Sequence, residues 1–329
     1  MTRRLLTISL LLTIGSLASA QSLTLYSGRG EALVQPIVER FTAETGIEVS
    51  VRYGGTAELA VLILEEGRAS PADVFWGQDA GALGALSQAG RLSPLPEELT
   101  AGLPGIYTSR GGLWVATSGR ARVLAYSPER SVETPWPATV FDLTEPQYRG
   151  RVAWAPTNGS FQAFVTAMRV VHGETATEAW LRGMIANDVQ AYRNNTTQVE
   201  AIAAGEVDYA LVNNYYLLRF LANDPAYPVA QGFFGNGDVG NLVNVAGAGI
   251  VDTSDDREAA EAFLSFMLQE DSQEYFTNVV FEYPVVPGVE PAGALASFDA
   301  LLAASPDVDL DVLEDLEGTL ELLREVGLL

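Results

Sequence analysis

The sequence predicts an α/β fold with two lobes, built on a mostly parallel sheet that is covered by helices. The first 80 residues alternate strand-like and helix-like segments, which is typical of parallel strands joined by helices. Two later extended runs, residues 113–126 and 241–250, are long enough to cross between lobes. The chain has 329 residues, which is enough for one large two-lobed domain.

The first twenty residues have the pattern of a secretory signal peptide. Arginines at positions 3 and 4 precede an apolar stretch over residues 5–17 and the small residues 18–20. We therefore expect a mature chain that begins near Gln21 and is located in the periplasm or elsewhere outside the cytoplasm. The chain has no cysteine, so a lipid anchor on cysteine, a disulfide and a thiolate metal site are excluded.

Charge and residue counts argue against several functional classes. The formal net charge is −23, which disfavours nucleic acid and anionic membranes as partners. The single histidine, His172, and the lack of a Gly-x-Ser-x-Gly element argue against a Ser/His/Asp hydrolase. A zinc enzyme would need further histidine or cysteine ligands. We therefore expect a protein that is not an enzyme.

Strands and helices alternate in order along the first part of the chain. Residues 22–26 form a first strand, and a helix with four apolar residues on one face follows the loop at residues 27–31. A second strand, a helix capped by Thr56 and a buried strand at residues 74–76 come next. In such sheets ligands bind beyond the carboxyl ends of the strands, here the loops at residues 27–31 and 77–79.

The second part of the chain continues with shorter strands and amphipathic helices. Strands are predicted at residues 113–118, 122–126, 151–155, 208–212 and 241–250. Helices are predicted after Thr157, at residues 176–186, after Arg193 and at residues 257–268. Leucines spaced three and four apart near the end predict a last helix that packs on its own domain.

The most informative stretch is Asn213-Asn214-Tyr215-Tyr216, at the end of a short buried strand. At a loop or helix start the two phenols can converge on one point. A phenol ligates metals only after it loses a proton, and a hard, highly charged cation such as Fe(III) achieves this. The alternative interpretation is an aromatic lid over the core, with the asparagines forming a turn.

The chain resembles the periplasmic ferric-iron-binding proteins that supply ABC-type iron importers. The resemblance covers nearly the whole mature chain, and the Asn-Asn-Tyr-Tyr element is its most specific part. Its other segments are residues 23–28, 70–75, 118–123, 141–144 and 281–285. It implies a type 2 periplasmic-binding fold, two α/β lobes joined by hinge strands with the ligand cleft between them. It also implies a monomer that passes ferric iron to a permease in the inner membrane.

From the two extended runs that can cross between lobes, we predict lobe 1 at residues 21–119 and 245–289 and lobe 2 at residues 120–244 and 290–329. The resemblance implies the ligands. Tyr215 and Tyr216 would bind Fe(III), and a synergistic anion, carbonate or phosphate, would complete the metal shell. Relatives use a histidine and a glutamate at the positions of Gly30 and Gln78, and some have a tyrosine at the position of Phe161. These ligands are missing here.

Two acids stand next to the missing ligands, and several residues are expected to bind the anion. Glu31 and Asp79 are weaker metal-ligand candidates, although each equally suits the start of a helix. The backbone at Gly159 and Ser160 begins a helix and offers N–H donors. The other anion candidates are Asn195, Asn213, Arg29 and Arg120. The asparagines also suit ordinary turns, and Arg120 also suits a brace in the hinge.

A second functional hypothesis stays open at this point. The missing ligands also fit a carrier for a small organic anion or a phosphonate, held in the same cleft without metal. The tyrosine pair would then stack on the ligand, and Arg29, Ser160 and Asn195 would bind its charge. Colour separates the two hypotheses, because an iron–phenolate complex is orange-red and an organic-anion carrier is colourless.

Overall fold

The computed structural model describes residues 22–109, 111–308, 310, 313 and 315–329, so the predicted signal peptide lies outside the described residues. The predicted α/β class is confirmed by nine strands and twelve α-helices within these residues. Short 3-10 helices occupy much of the irregular connection between the first and second halves. In the part of the chain described, no helix has the length and apolar character needed to cross a membrane.

The bounds of the elements are as follows. The strands are β1 Ser22–Ser27, β2 Glu48–Tyr53, β3 Val74–Gly77, β4 Val115–Tyr126, β5 Val152–Trp154, β6 Gln190–Ala191, β7 Tyr209–Asn213, β8 Ala230–Gly232 and β9 Val243–Ile250. The helices are α1 Glu31–Thr45, α2 Thr56–Glu66, α3 Ala80–Gln88, α4 Glu97–Thr100, α5 Gly159–His172, α6 Glu174–Ala186, α7 Asn195–Ala204, α8 Asn214–Asn223, α9 Arg257–Met267, α10 Glu270–Asn278, α11 Phe298–Ala304 and α12 Leu316–Glu325.

The sheet has two parallel ends and an antiparallel centre. Its strand order is β2-β1-β3-β9-β4-β7-β5-β6, with β8 paired to β4. At one end β1 runs parallel to β2 and β3, and at the other end β5 runs parallel to β6 and β7. The alternation of strands and helices in the first 80 residues therefore produces the parallel arrangement that it predicts.

The centre of the sheet consists of β4 and β9, which pair antiparallel. The expectation of two separate strands at residues 113–118 and 122–126 is wrong, because β4 is a single strand that continues through Gly119. The pairing of β4 with β9 shifts its register between Ala116 and Ser118, as at a β-bulge. The predicted lobe boundaries fall within β4 and at the start of β9, and they stay a prediction.

Helices cover both faces of the sheet and bury its apolar side chains. Near one end, Phe41 of α1 and Phe263 of α9 meet edge-to-face, with ring centroids 5.0 Å apart. Trp76 of β3 packs against Phe263 with a centroid separation of 6.3 Å. At the other end, Trp154 of β5 contacts Trp180 of α6 at 5.9 Å. Each end of the sheet thus has its own aromatic core.

The end of the chain packs mainly on the second half of the molecule. Helix α12 lies against α5, and the hydroxyls of Thr166 and Thr319 are 2.7 Å apart in their contact. The same segment also reaches α3 in the first half. A Cβ atom on Gly81 would lie 2.7 Å from the carbonyl oxygen of Leu313, so only glycine permits this approach.

A buried ion pair ties the loop after β1 to the hinge region. Nη2 of Arg29 donates to Oε1 of Glu282 at 2.8 Å, and Nη1 donates to Oγ of Ser118 at 3.0 Å. Both charged side chains are 2% exposed. Next to Glu282, Tyr283 exchanges two backbone hydrogen bonds with Gly119. Residues from three distant parts of the sequence therefore meet at the centre of the sheet.

We expect Glu282→Gln to destabilise the protein by about 3–5 kcal/mol, because the buried charge of Arg29 would lose its counter-ion. Chemical denaturation followed by circular dichroism measures the free energy of unfolding. Glu178→Gln is the matched control, since Glu178 pairs with Arg182 on an exposed helix surface. Such a pair contributes about 0–1 kcal/mol. Equal stability of the two variants would contradict a structural role for the buried pair.

Candidate metal and anion site

The two tyrosines stand at the first turn of α8, directly after β7. The strand ends at Asn213, α8 begins at Asn214, and Tyr215 and Tyr216 are the second and third residues of the helix. The rings of Tyr215 and Tyr216 are stacked, with centroids 4.4 Å apart and an interplanar angle of 29°. The ring of Tyr215 is buried, and that of Tyr216 is half-buried. Two phenol oxygens are therefore presented side by side.

Three arginines surround the tyrosine pair. The guanidinium of Arg219, one helical turn beyond Tyr215, lies 4.8 Å from the centroid of its ring. Arg120 and Arg122 are both buried on β4, and their i, i+2 spacing places them on one face of the strand. Burial and repulsion by Arg120 lower the pKa of Arg122 to about 9, so its side chain is still a cation at neutral pH.

The phenol of Tyr216 is a weaker acid than free tyrosine. Burial raises the pKa of Tyr216, and the neighbouring Tyr215, which shares a hydrogen bond with it, raises this pKa further. The positive charges of Arg219 and Arg120 lower the pKa of Tyr216, but by less than burial raises it. The phenol of Tyr216 is therefore protonated at neutral pH until a cation displaces the proton. Binding of a metal to this oxygen must release that proton to solvent.

Gln78 reaches the tyrosines from the first half of the chain. Its Nε2 lies 3.4 Å from the hydroxyl oxygen of Tyr215, to which it donates a hydrogen bond. Gln78 follows β3, so the residue after this strand faces the tyrosine pair, as the resemblance implies. A neutral amide stands there, and Phe161 is buried against Trp154 with a centroid distance of 5.4 Å. Neither residue supplies an anionic ligand.

The structure places the two acidic candidates at the starts of helices. Oδ1 of Asp79 accepts from the backbone N–H of Ala82 at 3.2 Å and caps α3. Burial raises the pKa of Asp79, and Arg120 acts against this effect. Glu31 is exposed in the first turn of α1. Among the described residues, no group of three or more histidine, aspartate or glutamate side chains is arranged to hold a metal ion.

The start of α5 is partly closed by its own capping residue. Oδ1 of Asn158 accepts from the backbone N–H of Ser160 at 3.1 Å and from its hydroxyl at 2.6 Å. Both donors of Ser160 are bound by the asparagine cap in this structure, and a role for Ser160 in anion binding stays a prediction. Gly159 has open space on the side where a Cβ would lie, and the helix start remains accessible there.

Asn195 and Asn213 belong to the same polar chain. Oδ1 of Asn195 accepts from the backbone N–H of Asn213 at 3.2 Å, and its Nδ2 donates to Asn158 at 3.3 Å. The side-chain amide nitrogen of Asn213 is buried and has no hydrogen-bond partner among the described residues. Asn195 therefore connects β7 to the start of α5, and Asn213 offers a free donor beside the tyrosines.

The two arginines predicted to bind the anion have different environments. Arg29 is paired with Glu282, so its charge is compensated within the protein. Arg120 is 2% exposed, and none of its three side-chain nitrogens has a hydrogen-bond partner in the described part of the chain. An unpaired buried cation is unfavourable in the free protein and favours the binding of an anion. Of the two arginines, Arg120 is the better candidate for binding an anion, and this role stays a prediction.

Arg120 faces a cleft of about 420 Å³ between the two halves of the molecule. Residues of α2 and α3 line one side of the cleft, and residues of α5 and the end of the chain line the other. Of the predicted site residues, Asp79, Gly159, Ser160 and Arg120 line this space. Gln78 also lines it and contacts Tyr215, which places the tyrosine pair next to the cleft.

Sequence reasoning missed Arg122, Arg219 and Asn158. The alternation Arg120-Ala121-Arg122 in a buried strand was the available signal for the first, because it places two cations on one face. The spacing of four residues from Tyr215 was the signal for Arg219. Asn158 directly precedes the predicted helix start, and this position is typical of a capping residue.

The chain is similar to characterised proteins over nearly its whole length. Residues 26–274 match the family model for bacterial extracellular solute-binding proteins. The Fe(3+)-binding periplasmic protein of Serratia marcescens is 33% identical over 330 residues, which cover 99% of this chain and 96% of that protein.

Solved structures give the same result. Iron-bound HitA from Pseudomonas aeruginosa has a TM-score of 0.87 and 36% identity, with 93% of this chain and 99% of that chain covered. IdiA (FutA) of Trichodesmium, in complex with iron and citrate, has a TM-score of 0.81 and 30% identity, with 94% and 100% coverage. The two-lobed type 2 periplasmic-binding fold implied by the resemblance is therefore confirmed.

We expect Arg120→Met to stabilise the ligand-free protein by about 1–3 kcal/mol, because it removes buried donors that have no partners. The same change should weaken binding of the anion. Denaturant unfolding without ligand measures the first effect. Arg182→Met on an exposed helix surface is the control and should change stability little. A destabilised Arg120→Met protein would show that this arginine braces the hinge instead.

Proposed function

The chain belongs to the bacterial extracellular solute-binding proteins, and from this premise we propose that it captures Fe(III) through Tyr215 and Tyr216 together with a co-bound anion. In this proposal it works in the periplasm as a monomer and delivers the iron to an ABC-type permease of the inner membrane. It is a carrier and not an enzyme. Relatives and structural neighbours described as binding ferric iron support the choice of cargo.

The single observation that carries the proposal is the stacked pair of phenols at the start of α8. Two adjacent phenol oxygens are a poor arrangement for most ligands but a good one for a small, hard, highly charged cation. Fe(III) displaces both protons and replaces them with two metal–oxygen bonds. The stacking of the two rings supports this interpretation, because it keeps the two side chains together at the start of α8.

The charge of the site supports the requirement for an anion. Fe(III) bound to two phenolates keeps one positive charge, and Arg120, Arg122 and Arg219 add three more around the same place. Negative charge from outside the chain would offset this excess. We propose that the anion, carbonate or phosphate, lies between the iron and the donors Arg120, Gly159 and Asn213.

Arg29, Ser160 and Asn195 have supporting roles in this proposal. Arg29 holds the hinge through Glu282, while Asn195 and Ser160 arrange the start of α5 through Asn158. If Asn158 released the hydroxyl of Ser160 when the anion bound, that hydroxyl would add another donor. Glu31 and Asp79 are left as helix-start acids, and neither is needed as an iron ligand.

We expect Tyr215→Phe and Tyr216→Phe each to abolish or shift the phenolate-to-iron charge-transfer band and to lower iron affinity at least about 100-fold. Both rings stay, so packing should change little. Tyr227→Phe is the matched control, because Tyr227 also stacks on an aromatic ring, that of Phe220, with centroids 4.7 Å apart. Absorption spectroscopy during iron titration measures the band.

Colour also tests the competing hypothesis of an organic-anion carrier. An iron-loaded wild-type protein without a charge-transfer band would contradict the phenolate ligands. If the protein without iron also retained an organic anion, that result would favour the organic-anion carrier. Unchanged spectra and affinities in both phenylalanine variants would remove the tyrosines from the site.

Iron affinity should fall as the pH falls, because burial keeps the pKa of Tyr216 raised and iron must displace its proton. Each displaced proton lowers the apparent association constant about tenfold for each unit of falling pH. Competition with a chelator of known protonation behaviour measures the slope between about pH 6 and about pH 8. In Tyr216→Phe, iron binding should release about one proton fewer, so the dependence of iron affinity on pH should be less steep. An iron affinity of the wild type that does not change with pH would contradict phenolate binding.

A further inference from the structure

The start of the tyrosine helix α8 is anchored by a side chain of the helix itself. Asn213, which precedes the helix, makes no capping hydrogen bond with its side chain. Asn214, the first helical residue, is 2% exposed, and both polar atoms of its amide group bind backbone groups outside the helix. Because Tyr215 and Tyr216 follow directly in the same helical turn, a movement of Asn214 moves both phenols.

One of these hydrogen bonds reaches β4 at the point where this strand changes its partner. Up to Ala121 the strand pairs with β9, and from Arg122 it pairs with β7. Neighbouring N–H groups of a strand point to opposite sides, and that of Arg122 donates to the carbonyl of Leu242 before β9. The N–H of Ala121 therefore points to the side of β7, which ends at Asn213. Oδ1 of Asn214 accepts this N–H at 2.9 Å and takes the place of a strand carbonyl.

The other hydrogen bond reaches a segment that returns to the centre of the sheet. Nδ2 of Asn214 donates to the carbonyl oxygen of Phe281 at 3.3 Å. Phe281 has a φ of 63°, in the left-handed region, which is unfavourable for an aromatic residue and persists where neighbouring groups hold it. On the predicted boundaries Phe281 belongs to lobe 1 and Asn214 to lobe 2. This bond therefore joins the predicted lobes directly beside the tyrosine pair.

The two residues after Phe281 fix the same segment to the hinge region. The carboxylate of Glu282 is paired with Arg29, and Tyr283 exchanges two backbone hydrogen bonds with Gly119. Gly119 is the last residue of lobe 1 at the boundary predicted within β4. The segment is therefore attached to lobe 1, while α8 belongs to lobe 2. A rotation of the lobes about β4 would move the carbonyl of Phe281 relative to the start of α8.

We propose that Asn214 is the positioning residue that couples movement of the two lobes to the tyrosine pair. Its bond with Ala121 sets the orientation of the first turn of α8, and therefore of both phenol oxygens. Its bond with Phe281 forms while the lobes are in contact and slows their separation. When the lobes separate, the start of α8 loses one of these two anchors. This inference rests on the proposed iron-binding function and specifies how the same site retains and releases its cargo.

The test uses the mature protein loaded with Fe(III) in bicarbonate buffer. Excess EDTA removes the iron, and the decay of the phenolate-to-iron charge-transfer band in a stopped-flow spectrophotometer gives the release rate. Asn214→Ala removes both hydrogen bonds of the side chain. We therefore expect iron release at least about tenfold faster than in the wild type, together with a shifted band maximum.

A second variant separates the two hydrogen bonds of Asn214. Asn214→Asp keeps the shape of the side chain and an oxygen that accepts from Ala121, but its ionised carboxylate cannot donate to Phe281. A carboxylate in the first turn of a helix is favourable for folding. We expect the band maximum of the wild type, because the bond with Ala121 stays, and iron release at least about threefold faster, because the bond between the lobes is lost.

Asn187→Ala is the matched control for a general loss of stability. Asn187 is 8% exposed at the end of α6, and its Nδ2 donates to the carbonyls of Leu143 and Glu145 at 2.9 and 2.8 Å. This variant therefore also loses two hydrogen bonds from a buried amide to the backbone. Denaturant unfolding of the iron-free proteins measures the stability of each variant. We expect a similar loss in both alanine variants, but the release rate and band of the wild type in Asn187→Ala.

The outcomes separate the inference from the proposed function. An iron-loaded Asn214→Ala protein with the release rate and band of the wild type overturns the inference and leaves the iron carrier intact. Equally fast release from Asn187→Ala also overturns it, because lower stability alone would then explain the effect. Wild-type release from Asn214→Asp overturns the coupling through Phe281, and this variant decides the question if Asn214→Ala does not fold. A wild-type protein without a charge-transfer band contradicts the proposed function itself, and the inference fails with it.

Discussion

Strands β4 and β9 run antiparallel through the centre of the sheet and connect its two parallel ends. Several parts of the candidate site are positioned against this pair. Arg120 and Arg122 project from β4, while Asn244 of β9 accepts a hydrogen bond from the first residue of α3. The backbone N–H of Ala121 donates to Asn214 at the start of α8, which fixes the helix that carries the tyrosines. A change in the twist of these strands would move all these groups together.

The buried arginines of this molecule have two different kinds of environment. Arg29 is held by Glu282 and Ser118, so its charge is compensated, and removing one partner would leave a buried charge unpaired. Arg120 has no such counter-ion, and Arg122 is bound only by neutral oxygens, the carbonyl of Leu211 and the backbone and hydroxyl of Ser160. One buried arginine therefore has a counter-ion within the protein, while the buried Arg120 beside the cleft lacks a hydrogen-bond partner among the described residues.

Periodicity predicted the strands and helices well where local pattern decides the structure, as in β1 to α3. It failed at β4, because Gly119 between two polar residues has the pattern of a turn, and the pairing with β9 keeps it extended. The sequence predicted that Tyr215, Tyr216 and Gln78 lie near one another, because each follows the end of a predicted strand. The pairing of Arg29 was not predictable, since it depends on a contact between distant segments. The asparagine cap on Ser160 is a local contact, and the position of Asn158 before the helix was its signal in the sequence. Whether Tyr215 and Tyr216 bind iron is still a prediction.

The neutral amide of Gln78 beside Tyr215 has a consequence for electron transfer. A carboxylate at this position would add negative charge next to bound iron and would stabilise Fe(III) more than Fe(II), because the attraction grows with the charge of the ion. Without that charge, the proposed complex has a higher reduction potential than a glutamate-containing relative would have. Its iron therefore accepts an electron more readily, and the softer ferrous ion binds phenolate oxygens less strongly. In the proposed complex, reduction of the iron would therefore weaken its binding to the two tyrosines.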